Sequence, residues 1–290
     1  PSPKFIDSIL QFAQQPDETL MLNAFDSLEK MLHNNYKQLL NKKPQAIQSI
    51  LDILLAWISN GRTEAITPLA ELVENFSYYD KSKLHAIIQV LIEIYSKVVL
   101  PDSVRCMAAI AKTFPVEMST NSLGYAMSAL ELITPDSDDD ACHILLMACS
   151  TFAKCIPEAQ IGEFLQRLME KVSTIPELTM FVGFRLIAKQ MGASFAPFLV
   201  HIYPYLHEMA SKEMELIVDD SNHRNDDSLL VYFPGNLTVR IESEQSSEIS
   251  RALLSIADYA RAVGQEFMPY AESAIQDAIH GFGNAYSDDV

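Results

Sequence analysis

Met191-Gly192-Ala193-Ser194-Phe195-Ala196-Pro197-Phe198 is answered seventy-two residues later by Val263-Gly264-Gln265-Glu266-Phe267-Met268-Pro269-Tyr270. Both copies place Gly second, Phe fifth, Pro seventh and an aromatic last. Each follows one apolar-striped helical stretch and opens another, so the phrase is a joint between two helices. A joint used twice predicts stacked helical hairpins, and such stacks commonly present an extended surface to other macromolecules.

Periodicity on either side supports helices. Leu84, Ile87, Ile88, Leu91, Tyr95 and Val98 fall on one face of a 3.6-residue repeat, as do Phe195, Phe198, Leu199, Ile202, Leu206 and Met209. The second helices of successive hairpins are expected to begin near Asp17, Arg62, Asp102, Asp138, Glu177 and Glu248. Their spacings are 45, 40, 36, 38 and 71 residues. A period near forty with two helices per unit is the signature of HEAT or armadillo arrays. The fold expected is therefore all-α: one α-solenoid of six to seven HEAT-type hairpins over residues 1–290, with an insertion near 212–247 accounting for the last, doubled spacing. Asp102-Ser103-Val104-Arg105-Cys106-Met107-Ala108 resembles the HEAT consensus. There Asp102 is expected to cap the second helix, and Arg105 to bond the corresponding acid of the next repeat.

The insertion carries Asp219, Asp220, Asp226 and Asp227. Leu229–Phe233 and Leu237–Ile241 then flank Pro234-Gly235-Asn236, a pattern that predicts a β-hairpin. A lone hairpin is marginal in water, so it must lie against the helices or a partner.

Composition narrows the class. With 49% hydrophobic residues the chain can bury a large core, yet its apolar stretches, as around Ile144–Ala153, are too short to span a bilayer. No basic segment followed by an apolar one opens the chain, which argues against secretion. It starts at Pro1 rather than Met and is expected to be a piece of a longer or processed protein. Net charge is −17, of which −11 lies in the last hundred residues. That field disfavours nucleic acid and membranes and favours basic polypeptides. Cys106, Cys142, Cys149 and Cys155 form no CxxC pair, which points to a reducing compartment.

Catalytic and metal patterns fail on inspection. Asp136-Ser137-Asp138-Asp139-Asp140 begins like a calcium loop, but Ala141 and Met147 stand where that loop needs Gly and Glu. Neither Asp138-Asp139 nor Asp219-Asp220 continues into the Asp-Asp-x-x-Asp of an all-helical terpenoid synthase. There is no HExxH, GxSxG or phosphate loop. Cys142, His143 and Cys149 diverge around a helix rather than converging on a metal. The expectation is a protein with no catalytic residues, no metal and no cofactor, in which Trp57 and Tyr95 serve packing.

Several stretches resemble the importin-β (karyopherin-β) family, closest to its importin beta-three branch. They are Phe184-Arg185-Leu186-Ile187-Ala188-Lys189-Gln190-Met191-Gly192, the Phe195–Pro204 helix, Glu215–Asp220, and Ile249–Tyr270 with its Ala257-Asp258-Tyr259-Ala260-Arg261 core. Leu69-Ala70-Glu71-Leu72-Val73-Glu74-Asn75-Phe76 is similar to the family's Glu-Asn-bearing second helices. Family members run to about twenty repeats, so the resemblance implies a fragment or a shortened form.

The resemblance implies a nuclear transport receptor, non-enzymatic, shuttling between cytoplasm and nucleus. It implies basic cargo proteins bearing import signals, Ran-GTP and FG-rich nucleoporins as partners. In a HEAT array second helices line the concave face, which singles out Glu71, Glu74 and Asn75, with Asp138, Asp139 and Asp140, as candidate cargo-binding residues. Asp219, Asp220, Asp226 and Asp227 are candidate loop contacts to cargo or Ran. The competing expectation is a HEAT-repeat scaffold subunit of another assembly.

Overall fold

In a computed structural model, the structure describes residues 8–9, 11, 17–42, 44–212, 216–218, 228–233 and 237–283. Helices dominate. In chain order, those of ten or more residues are α1 (Glu18–Lys42), α2 (Pro44–Ser59), α3 (Ile66–Tyr79), α4 (Lys81–Lys97), α5 (Pro101–Thr113), α6 (Ser122–Leu132), α7 (Asp139–Ala153), α8 (Glu158–Thr174), α9 (Val182–Met191), α10 (Leu199–Ala210), α11 (Ser243–Val263) and α12 (Ala271–Gly283). The chain divides into two compact units, Pro1–Leu165 and Gln166–Val290, with the boundary inside α8.

In the first unit, α1 packs on α3, α3 on α5 and α5 on α7, while α2, α4 and α6 pack on members of that row. This is the arrangement of stacked hairpins that the forty-residue period predicts. Small side chains on the row let its helices approach: Ala70, Cys106, Ala109, Ala111, Ala148 and Cys149 are all buried. Asp side chains start three of these helices. Asp17 Oδ1 accepts from Leu20 N–H at 3.1 Å, Asp80 from Lys83 N–H at 3.2 Å and Asp138 from Ala141 N–H at 2.7 Å. Each satisfies a backbone donor that the first helical turn leaves open. The apolar stripe of α4 is buried at Leu84, Ile87, Ile88, Leu91 and Tyr95.

Asp102 is not the cap of α5. Pro101 occupies the first turn, where its missing N–H costs nothing, and pushes the cap back to Leu100. Ser103 then completes the turn, its hydroxyl accepting from Leu100 N–H and donating to Leu100 C=O, both at 2.8 Å. Two other expected starts also move. Glu177 lies in a short 3-10 segment, Pro176–Met180, ahead of α9, and Glu248 lies inside α11 rather than at its start.

In the second unit α11 packs against both α9 and α10, and α12 packs on α10 and α11. The repeated phrase occupies the same structure twice: Gly192–Phe198 and Gly264–Tyr270 are both 3-10 segments joining two α-helices, and they touch each other. Gly192 ends α9 at φ 56°, ψ −136°, and Gly264 has φ 62°. Side chains other than hydrogen are strained there, so Gly192→Ala is expected to cost about 1–3 kcal/mol, readable as a lower urea midpoint. Phe195 and Phe267 point inward at 0% and 6% exposure. Phe195 stacks on Tyr259 with ring centroids 5.8 Å apart, and Phe267 meets Tyr203 edge-on at 5.9 Å. The Tyr259 hydroxyl donates to Thr179 C=O at 2.5 Å, so this buried phenol is satisfied.

Three strands lie between α10 and α11: β1 (Leu216–Val218), β2 (Ser228–Phe233) and β3 (Leu237–Glu242). They form an antiparallel sheet in the order β1-β3-β2, with Leu216 opposite Ile241 and Phe233 opposite Leu237. The Pro234–Asn236 turn lies outside the described residues.

Candidate functional site

The row α1–α3–α5–α7 carries most of the residues singled out above. Glu71, Glu74 and Asn75 sit on adjoining turns of α3. Their surroundings are set by Arg105, one repeat later on α5. Its Nη2 bonds Glu71 Oε2 at 2.5 Å, its Nε lies 2.9 Å from Glu74 Oε1 and its Nη1 bonds Asp102 Oδ1 at 3.3 Å. Asp102 also accepts from the Thr67 hydroxyl at 2.7 Å, tying the start of α5 to the start of α3. Thus Arg105 reaches back to the preceding hairpin instead of forward to the next one. The reason is geometric: α5 starts level with Thr67, so a side chain one turn in comes abreast of Glu71 and Glu74.

Three carboxylates around one guanidinium leave this cluster net negative. Burial alone would pull the Arg105 pKa down. The hydrogen bond and charge of Glu74, with the charges of Glu71 and Asp102, outweigh it and raise the pKa, so the cation persists at all ordinary pH. The excess negative charge is felt by Glu29 on α1, whose pKa is raised by burial and by the charges of Asp102 and Glu71. Glu71 is 8% exposed and locked, so its carboxylate faces Arg105 rather than solvent. Asn75 donates to Glu71 C=O at 2.8 Å. Glu74, with its side chain 39% exposed, is the member that a partner can reach.

Beside the cluster runs a groove of about 500 Å³ across α1, α3, α5 and α7. His33, Glu74, Tyr78, Lys112, His143 and Met147 are among the residues that line it. Lys112 lies over the Tyr78 ring and donates to its hydroxyl, so the groove holds a cation beside Tyr78 as well as Arg105. Sequence inspection missed Arg105 as the centre, and Glu29, Thr67 and Tyr78 with it. The available signal was that Arg105 follows Glu71 and Glu74 by 34 and 31 residues, close to one repeat.

Asp138, Asp139 and Asp140 are exposed at the start of α7. Asp138 is the cap of that helix, and Asp138→Ala is expected to cost about 1 kcal/mol, with Asp138→Asn nearly neutral in the same urea titration. Asp219, Asp220, Asp226 and Asp227 lie outside the described residues. Among the described residues no three His, Cys, Asp or Glu side chains gather as a metal site, and no helix is long and apolar enough to cross a membrane. All four cysteines are free and buried, and burial pushes the thiol pKa of Cys106 and Cys149 well up. Trp57 packs edge-on against Phe25 at 5.6 Å.

Solved structures share this fold. Kap121p bound to Pho4p matches 95% of the chain at a TM-score of 0.71 and 14% identity. The karyopherin Kap121p bound to the extreme C-terminus of the protein phosphatase Cdc14p matches 95% at 0.70 and 15% identity. The chain has a karyopherin-type fold. Kap121p bound to RanGTP covers 99% of it, again at 0.71 and 14% identity. The chain spans 28–30% of the length of these karyopherin chains. No family model and no curated protein matches the sequence.

Proposed function

We propose that this chain is a segment of a nuclear transport receptor of the importin-β type, in its importin beta-three branch, that holds basic import signals or Ran-GTP on an acidic surface. The fold likeness to Kap121p, solved with Pho4p and with RanGTP, carries this reading. The excess of carboxylates around Arg105 supports it. In this assignment Glu74, with Asp138, Asp139 and Asp140, pairs with Lys or Arg of the cargo. Glu71 and Asn75 hold Arg105 and the end of α3 in place beside it. Lys112 repels cations, so the basic side chains pair with Glu74 and the Asp138–Asp140 turn and the rest of the peptide lies beside Tyr78.

Residues 212–247 act in this reading as an acidic insertion among six to seven hairpins, in which Asp219, Asp220, Asp226 and Asp227 touch cargo or Ran-GTP. FG-rich nucleoporins are further partners of a receptor that shuttles between cytoplasm and nucleus without catalysing a reaction. Exposed carboxylate–ammonium pairs add little singly and act through number. A fluorescent Lys-rich import peptide should therefore bind, and weaken several-fold as salt rises from about 50 to about 300 mM, because the screening length shortens over that range. Absence of binding to this peptide and to Ran-GTP alike would favour a HEAT-type scaffold.

A further inference from the structure

In a chain of net charge −17, the second unit holds a cationic recess of about 240 Å³ between α9 and α11. Among the described residues, Arg185, Lys189 and Arg261 line it with a single carboxylate, Asp258, and Val182 and Leu186 form apolar wall. Arg185 and Lys189 are four residues apart on α9 and so share a face. Asp258 splits its two oxygens between the arginines: Oδ2 accepts from Arg185 Nη1 at 2.8 Å and Oδ1 from Arg261 Nη1 at 3.1 Å. One carboxylate thus holds two guanidinium groups in the recess, and Lys189 adds a third cation. The Arg185 side chain is 15% exposed and fixed, whereas that of Arg261 is 77% exposed and able to close on a bound group.

We propose that this recess recognises an anionic group, carboxylate or phosphate, carried on a side chain of a partner polypeptide. Three cations against one carboxylate leave unbalanced positive charge that an entering anion neutralises. Guanidinium groups suit this because their planar donor forks match carboxylate and phosphate oxygens. The recess has room for one acidic group with its linking carbons. Among the described residues no aromatic ring lines it for a base to stack on, and the chain's net negative charge opposes a long polyanion, so a polypeptide is favoured over nucleic acid. The recess belongs to the second unit and selects the charge opposite to that favoured by the acidic row of the first.

The test uses the intact chain and three short peptides differing at one residue: phosphoserine, aspartate or serine. The phosphoserine peptide, the aspartate peptide or both should bind more tightly than the serine peptide, and the ratio between them reports which anion the recess prefers. Lys189→Glu with Arg261→Glu, both at exposed positions, should weaken that binding by about tenfold or more while leaving the melting transition in place. Asp258→Asn, which keeps an acceptor but removes the competing charge, should tighten it. Binding of the Lys-rich import peptide should be unchanged in all these variants, so loss of basic-peptide binding and loss of anion binding are told apart. Equal binding of all three peptides, unaltered affinity in the double variant, or binding of an RNA oligonucleotide in place of the peptides would overturn the proposal.

Discussion

Arg105→Met should lower the stability of the first unit by about 3 kcal/mol, because removing one partner of a buried ion pair leaves an uncompensated charge behind. The side chains of Glu71 and Asp102 are only 10% and 21% exposed, and Arg105 is the cation that both contact. Glu74, at 39% exposure, can turn to water and contributes less. Arg105→Lys should recover only part of the loss, since one ammonium cannot span the three carboxylates that the guanidinium fork reaches. Combining Arg105→Met with Glu71→Leu should restore more than half of it, because the stranded carboxylate is removed with its partner. Urea titration followed by circular dichroism measures each step. A loss below about 0.5 kcal/mol for Arg105→Met would place the cluster among surface ion pairs.

Phe195→Ala should cost the second unit about 3–5 kcal/mol, the range for emptying a buried aromatic site. Its ring is fully enclosed, stacked on Tyr259 and set edge-on to Phe184 at 6.2 Å. Loss of the ring also loosens Tyr259, whose hydroxyl bond to Thr179 C=O ties α11 to the segment ahead of α9. Phe195→Leu keeps most of the volume and should cost less than about 1.5 kcal/mol. The matching change in the second copy, Phe267→Ala, should be milder. Phe267 lines an open apolar groove with Leu253 and Ala274, where solvent can occupy the vacated space. Equal losses at the two joints would show that the exposed groove gives Phe267→Ala no relief.

The helical architecture was legible because its signals are local. The stripe from Leu84 to Tyr95 records one buried face, and the two Gly residues of the repeated phrase record a backbone turn that φ values of 56° and 62° require. Asp17 and Asp138 mark helix starts because a short carboxylate before an apolar run has one strong use. Asp102 misled for the same reason: Pro101 ahead of it shifts the cap by two residues, and the freed carboxylate turns to Thr67 and Arg105. The site was legible only in its composition. The sequence presents Glu71, Glu74 and Asn75 as one set of candidate cargo contacts. Yet which acid is locked and which is open depends on Arg105, 34 residues away, and on whether it leans backward or forward along the row. Spacing near one repeat fits either direction, so only packing decides it. The carboxylates of 219–227 lie outside the described residues.

The most direct test of cargo recognition on the acidic row is photo-crosslinking of a Lys-rich import peptide bearing a benzophenone at each position in turn. Crosslinks are expected on α3, α5 and α7, near Glu74, Tyr78, Met147 and the Asp138–Asp140 turn. Crosslinks confined to other helices, or none at concentrations that saturate binding, would contradict it.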